Sequence, residues 1–203
     1  MIANMLRMKV PPSGGGGGTK TFVFVVTLNY DYGVNEVVIN GIKCTSGGIY
    51  TFNNMSQFTA TVRGDSGSSG NDWDGGGGGA SAFVNSSGFS PVSPYIAAGG
   101  GGGGGSYDDS TAGMDGASFG NAYGGYVYQG NPGGDGSGYA SGFTSVTTAV
   151  GGGANGLSSD TGYSGGSGGY AQGTCNVAGT YQCVCDGYGA YATGVPSIVI
   201  TVS

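Results

Sequence analysis

The sequence predicts an all-β chain with essentially no α-helix. It divides into a small antiparallel β-sandwich-like unit and a glycine-rich module of packed polyglycine helices capped by short strands. Three observations predict this. Residues 21–63 are dense in β-branched and aromatic residues at strand spacing. Glycine supplies 50 of the 203 residues, yet its runs at 14–18, 75–79 and 99–105 break the strict three-residue period of collagen. The chain also carries 14 Tyr and 8 Phe against only 8% charged residues, the opposite of the charge-rich, aromatic-poor composition of disordered chains.

Residues 1–18 read as an arm or linker, and residues 19–63 as the small β unit. Thr21 to Asn29 (TFVFVVTLN) is a β-branched and aromatic run too short for a helix, and predicts a buried strand. Val37-Val38-Ile39 and Ile42-Lys43-Cys44 flank Asn40-Gly41, the dipeptide that best tolerates the positive φ angles of a two-residue hairpin. Gly47-Gly48 then turns into Ile49 to Asn53, and Gln57 to Arg63 alternates apolar and polar with period two. This succession resembles small β-sandwich repeats of bacterial and phage surface proteins.

From Gly64 onward the composition changes: 41 of the last 140 residues are Gly, and Val127 is the only Ile, Leu or Val between 97 and 145. A side-chain core of ordinary density is not expected there. Packed polyglycine helices of three residues per turn are the physical alternative, because chains without Cβ atoms approach closely enough to exchange backbone hydrogen bonds. Each ordered glycine costs more backbone entropy than any other residue, so the array needs fastening at its rims. Ala80 to Val84, Pro94 to Ala98, Tyr139 to Val150 and Ser197 to Ser203 are suited to do so as short strands, with Phe83, Tyr95, Ile96 and Phe143 as caps and Trp73 as a lid.

The series GGGGGASAFV, PYIAAGGGGGGG, GYSGGSGGY and GYGAYATGVPSIVITVS, spanning residues 75–203, resembles the glycine-rich domain of phage tail-fibre and tail-tip adhesins and related surface proteins. That resemblance implies a polyglycine sandwich whose intervening loops meet the host receptor.

Charge and chemistry narrow the function classes. All five basic residues (Arg7, Lys9, Lys20, Lys43, Arg63) lie at or before position 63, and residues 64–203 hold nine Asp with no Lys, Arg or His. The glycine-rich part therefore lacks the cations that phosphate binding needs, and nucleic acid is not an expected partner. No run of 18 apolar residues is present, so membrane insertion is not expected. The start MIANMLRMKVPPS lacks a signal-peptide core, which points to synthesis in a host cytoplasm and release as part of a virion.

With no His in the chain and no Glu or Lys beyond position 63, no catalytic residue is predicted. No metal or cofactor is predicted either: Asp72, Asp74, Asp108 and Asp109 lack the spacing of calcium loops, and the cysteine spacing matches no zinc site. Cys44, Cys175, Cys183 and Cys185 are read as buried thiols, with a disulfide from Cys175 to Cys183 or Cys185 left open.

The informative constellation is aromatic. Tyr107, Phe119, Tyr123, Tyr126, Tyr128 and Tyr139 stand among Gly, Ser, Asn and Asp, the vocabulary of antibody combining loops. They are the candidate receptor-binding residues; the competing reading has the rings lying over glycine faces in place of a core. The resulting expectation is a non-enzymatic virion structural protein. Residues 1–63 attach to other virion proteins, residues 64–203 meet a host surface protein or glycan, and homo-oligomers are left open. A purely architectural role, as capsid decoration, tail-wall subunit or filament, is the alternative.

Overall fold

The computed structural model describes residues 20–29, 33–39, 42–44, 49–55, 57–67, 80–85, 92–104, 135–149, 167–186 and 196–202. Among these there is no helix. The strands are Lys20–Asn29 (β1), Gly33–Ile39 (β2), Ile42–Cys44 (β3), Ile49–Met55 (β4), Phe58–Arg63 (β5), Ala80–Asn85 (β6), Val92–Ala98 (β7), Gly138–Ser141 (β8), Thr144–Ala149 (β9), Tyr170–Cys175 (β10), Gly179–Asp186 (β11) and Ser197–Val202 (β12). The all-β expectation holds. Ile39 pairs with Ile42, the register a two-residue Asn40-Gly41 hairpin requires.

Two antiparallel sheets result, ordered β3-β2-β1-β12-β5-β10-β9 and β4-β11-β6-β7-β8. They pack face to face, with β5 against β6 and β7, β10 against β7 and β8, and β12 against β6. The strands of residues 19–63 do not form a unit of their own. β5 lies between β12 and β10, and β4 pairs with β11, so the division expected at residue 63 is absent from the strand pairing. The physical reason is that the early strands hold much of the β-branched surface that the glycine-rich half lacks.

Period-two burial in β5, β10 and β12 shows which side of the larger sheet faces in: Phe58, Ala60 and Val62; Ala171, Gly173 and Cys175; Ile198 and Ile200. At the end of the sandwich holding Phe58, the core is aromatic. Phe58 meets Tyr181 edge-on at 4.8 Å between centroids and Phe143 at 6.0 Å. Phe143 lies over Gly173, where an added Cβ would come within 3.1 Å of the Phe143 Cβ. It caps this core rather than the glycine array. Tyr181 donates from its hydroxyl to the Val177 carbonyl at 2.8 Å, and the Cys175 sulfur lies 3.3 Å from the same oxygen.

At the opposite end the inward positions run out into glycine: Phe58, Ala60 and Val62 along β5 are followed by Gly64, and Cys175, Gly173 and Ala171 back along β10 by Gly169. Side chains normally hold facing sheets about 10 Å apart. Where they run out, the two sheets close.

The outward face of the larger sheet is regular in a different way. Thr21, Thr201, Thr59, Thr174 and Thr144 stand in register across β1, β12, β5, β10 and β9. Thr21 and Thr201 share a hydroxyl contact at 3.3 Å, as do Thr59 and Thr174, while Thr144 donates to the Thr174 carbonyl at 3.1 Å. The next row is Val23, Val199, Thr61, Gln172 and Thr147. Beyond it, Arg63 sits over the Tyr170 ring, 4.5 Å from the centroid.

Candidate functional site

Four glycine-containing segments continue the strands at the closed end: residues 64–67 follow β5, 99–104 follow β7, 135–137 precede β8 and 167–169 precede β10. Two bonds extend existing ladders, from the Gly64 amide to the Gly169 carbonyl (3.0 Å) and from Gly99 to Ser137 (2.8 Å). Three others cross between the sheets: Gly169 donates to Gly99 (2.8 Å), Gly101 to Asp65 (2.9 Å) and Gly136 to Ser167 (2.8 Å). A strand in a sheet bonds to at most two neighbours. Here segments 99–104 and 167–169 each bond to three, so the arrangement is a rhombus of chains rather than a sheet.

Glycine is required by this approach. A Cβ on Gly64 would strike the carbonyl of Gly99, and one on Gly67 would strike that of Gly102. Both members of each contact step by three residues and in the same direction, so these two segments run parallel. Residues 99–104 are buried throughout, while Ser66, between the contact glycines, is exposed. The Asp135 carboxylate accepts the Ser167 amide at 2.9 Å, a second tie on the side that Gly136 and Ser167 already join.

This end gathers the long connections. Arg63 aligns with Tyr170 and Ser197, Tyr170 with Ala149, Ala98 with Gly138 and Ser81, and Ala80 with Asp186. Segments 68–79, 105–134, 150–166 and 187–195 therefore all leave from and return to the glycine end. At the opposite end Lys20 pairs with Val202, which pairs with Phe58, which pairs with Cys175. The chain enters and leaves the described fold there, beside the short connections.

Of the candidate receptor residues, Tyr107, Phe119, Tyr123, Tyr126 and Tyr128 lie outside the described residues, on the connection from 99–104 to 135–137. Tyr139 is described. It is half-buried, paired across from Ala97, and its ring lies 5.7 Å from that of Tyr95. Gly138, one position earlier, faces the Tyr170 carbonyl of the other sheet, so Tyr139 and Tyr95 share the outward face of the smaller sheet. The sequence reading assigned Tyr95 to capping and missed this pairing, which follows from the antiparallel register of β7 and β8.

Cys175 and Cys183 are both buried thiols, so neither disulfide left open for Cys175 is formed; the Cys185 side chain lies outside the described set. Among the described residues no group of three metal-ligating side chains occurs, and no helix is long and apolar enough to cross a membrane. Burial, and next the Cys175 thiol, push the Tyr181 phenol well above its usual range. No family model matches this chain, and searches of curated proteins and of solved structures find no match either.

Proposed function

We propose that this chain is a non-enzymatic virion structural protein, a phage tail-associated adhesin or tip protein that recognises a host surface protein or glycan. The observation supporting this most is the polarity of the fold. The chain enters at Lys20, on the end away from the glycine rhombus, and the basic arm of residues 1–18 precedes it. Four long connections, including the Tyr-rich segment 105–134, issue from the other end. Binding residues concentrate on loops carried by a rigid scaffold, and a backbone-bonded array is such a scaffold.

Within this reading the four glycine segments are polyglycine helices with three residues per turn. The three-residue step of the Gly64–Gly99 and Gly67–Gly102 contacts and the three neighbours of segment 99–104 support that assignment.

Placing the chain in an electron-microscopy map of an intact particle tests the proposal. A few copies at the tail with the glycine end outermost are expected. A glycine end turned inward against another virion protein would overturn it.

A second reading, a purely architectural subunit, is favoured by the two outward rows of the larger sheet, which are almost wholly Thr and Val and hold no carboxylate. A chain of net charge −6 would best meet copies of itself there. Many copies per particle in a quantitative gel would favour that role.

A further inference from the structure

Resting on the attachment reading, we propose that the fold is a tension clamp, which meets pulling between its arm and its glycine-end loops only with ladders held in shear. The argument needs three placements. β1 begins at Lys20, on the end away from the rhombus, and runs toward it, hydrogen-bonded to β12 over six residue pairs and to β2 on its other side. Force applied through the arm acts along the axis of β1, so all of these bonds are loaded together.

At the other end, segment 105–134 emerges between residues 99–104 and 135–137, the extensions of β7 and β8. Pulling it outward draws this pair along its own axis. Sliding is opposed by β6, paired with β7 from Ser81 to Asn85, and by the three bonds that cross between the sheets. Those bonds join the smaller sheet, which receives the tip force, to β5 and β10 of the larger sheet, which passes it through β12 to β1. The glycine rhombus thus couples the sheets in addition to carrying loops.

A different direction of pulling meets little resistance. Lys20 and Val202 are paired neighbours, so tension between the two chain ends would peel β1 from β12 one bond at a time.

Single-molecule force spectroscopy on the full chain tests this with two handle geometries. One uses the N-terminus and an azide-bearing residue introduced at Ser110; the other uses the two termini. Because forced unfolding follows the unfolding rate along the pulled coordinate, the first geometry is expected to rupture at about twofold higher force or more at equal loading rate. Equal or lower force in the first geometry would overturn the clamp. The result is independent of host attachment. A protein that resists tip pulling but binds no cell keeps the clamp and loses the adhesin, and the converse loses only the clamp.

Discussion

The amide of Gly169, leading into β10 of one sheet, donates to the carbonyl of Gly99, just past β7 of the other, across 2.8 Å. Two sheets of a sandwich do not ordinarily exchange backbone hydrogen bonds, because the side chains between them fill about 10 Å. The bond exists because glycine follows the inward side chains of β5 and β10, and a Cβ at Gly64 or Gly169 would strike the Gly99 or Ser137 carbonyl of the other sheet. It turns a two-layer sandwich into a rhombic bundle over a few residues.

The first prediction follows from the three-residue step. Gly64→Ala or Gly67→Ala drives a Cβ into the Gly99 or Gly102 carbonyl, a backbone group rather than the movable end of a side chain. Each should cost about 2–4 kcal/mol in denaturant unfolding, through overpacking. Ser66→Ala, exposed between them, should stay within about 0.5 kcal/mol of the parent. Equal costs at 64, 66 and 67 would mean that the approach is not threefold.

A second concerns Tyr181, whose hydroxyl joins Cys175 to the Val177 carbonyl at the corner between β10 and β11. Tyr181→Phe leaves that carbonyl without its donor and should cost about 1–2 kcal/mol.

The same residue predicts a pH dependence. In the unfolded chain the phenol ionises near 10, whereas burial and the thiol keep the folded phenol neutral well above that. A raised folded value means that its stabilisation is complete below pH 10 and is lost as pH climbs beyond it. Guanidinium midpoints at successive pH values should fall above pH 10 in the parent, and fall less in Tyr181→Phe. Parallel curves would remove Tyr181 as the cause.

Much of the strand content was legible because β-branched and aromatic runs mark strands whatever surrounds them. Thr21 to Asn29, Gln57 to Arg63 and Ser197 to Ser203 fall within a residue or so of β1, β5 and β12. β10 and β11 were missed. YAQGTC and GTYQCVCD scatter their strand-forming Tyr, Thr and Val among Gly, Gln and Asp, and their pairing is set by neighbouring strands and by Gly173 making room for Phe143. Composition changes at Gly64, whereas the strand pairing crosses that position, with β5 between β12 and β10 and β4 beside β11. At the site, the glycine runs flagged the close approach, whereas the convergence of four long connections depends on strand register, which no local pattern encodes.

The interleaving of strands from both halves supplies a fourth prediction. Residues 19–63 expressed alone should remain unfolded, since Phe58 and Val62 lose Ile198, Ile200 and Ala171 across the sheet and β4 loses β11. The whole chain should unfold in one transition by circular dichroism and by Trp73 fluorescence alike. A folded 19–63 fragment, or two separated transitions, would restore the two-domain division.

The last prediction separates recognition from structure among the tyrosines. Tyr139 lies half-buried against Tyr95, so Tyr139→Ala should destabilise the fold by about 1–3 kcal/mol through lost burial and ring contact. Tyr107, Tyr126 and Tyr128 stand on the connection between residues 99–104 and 135–137, and each further residue of a long connection adds little closure entropy. If they are the binding anchors, Tyr107→Ala, Tyr126→Ala and Tyr128→Ala should each weaken attachment to host cells more than about tenfold, the loss typical of a truncated aromatic hot spot. Their melting temperatures should stay within a few degrees of the parent. Paired measurements of cell attachment and thermal melting on all four variants decide the matter. If the three loop variants lose stability as Tyr139→Ala does, while the fraction still folded attaches normally, these rings are packing groups and host recognition lies on another of the four connections.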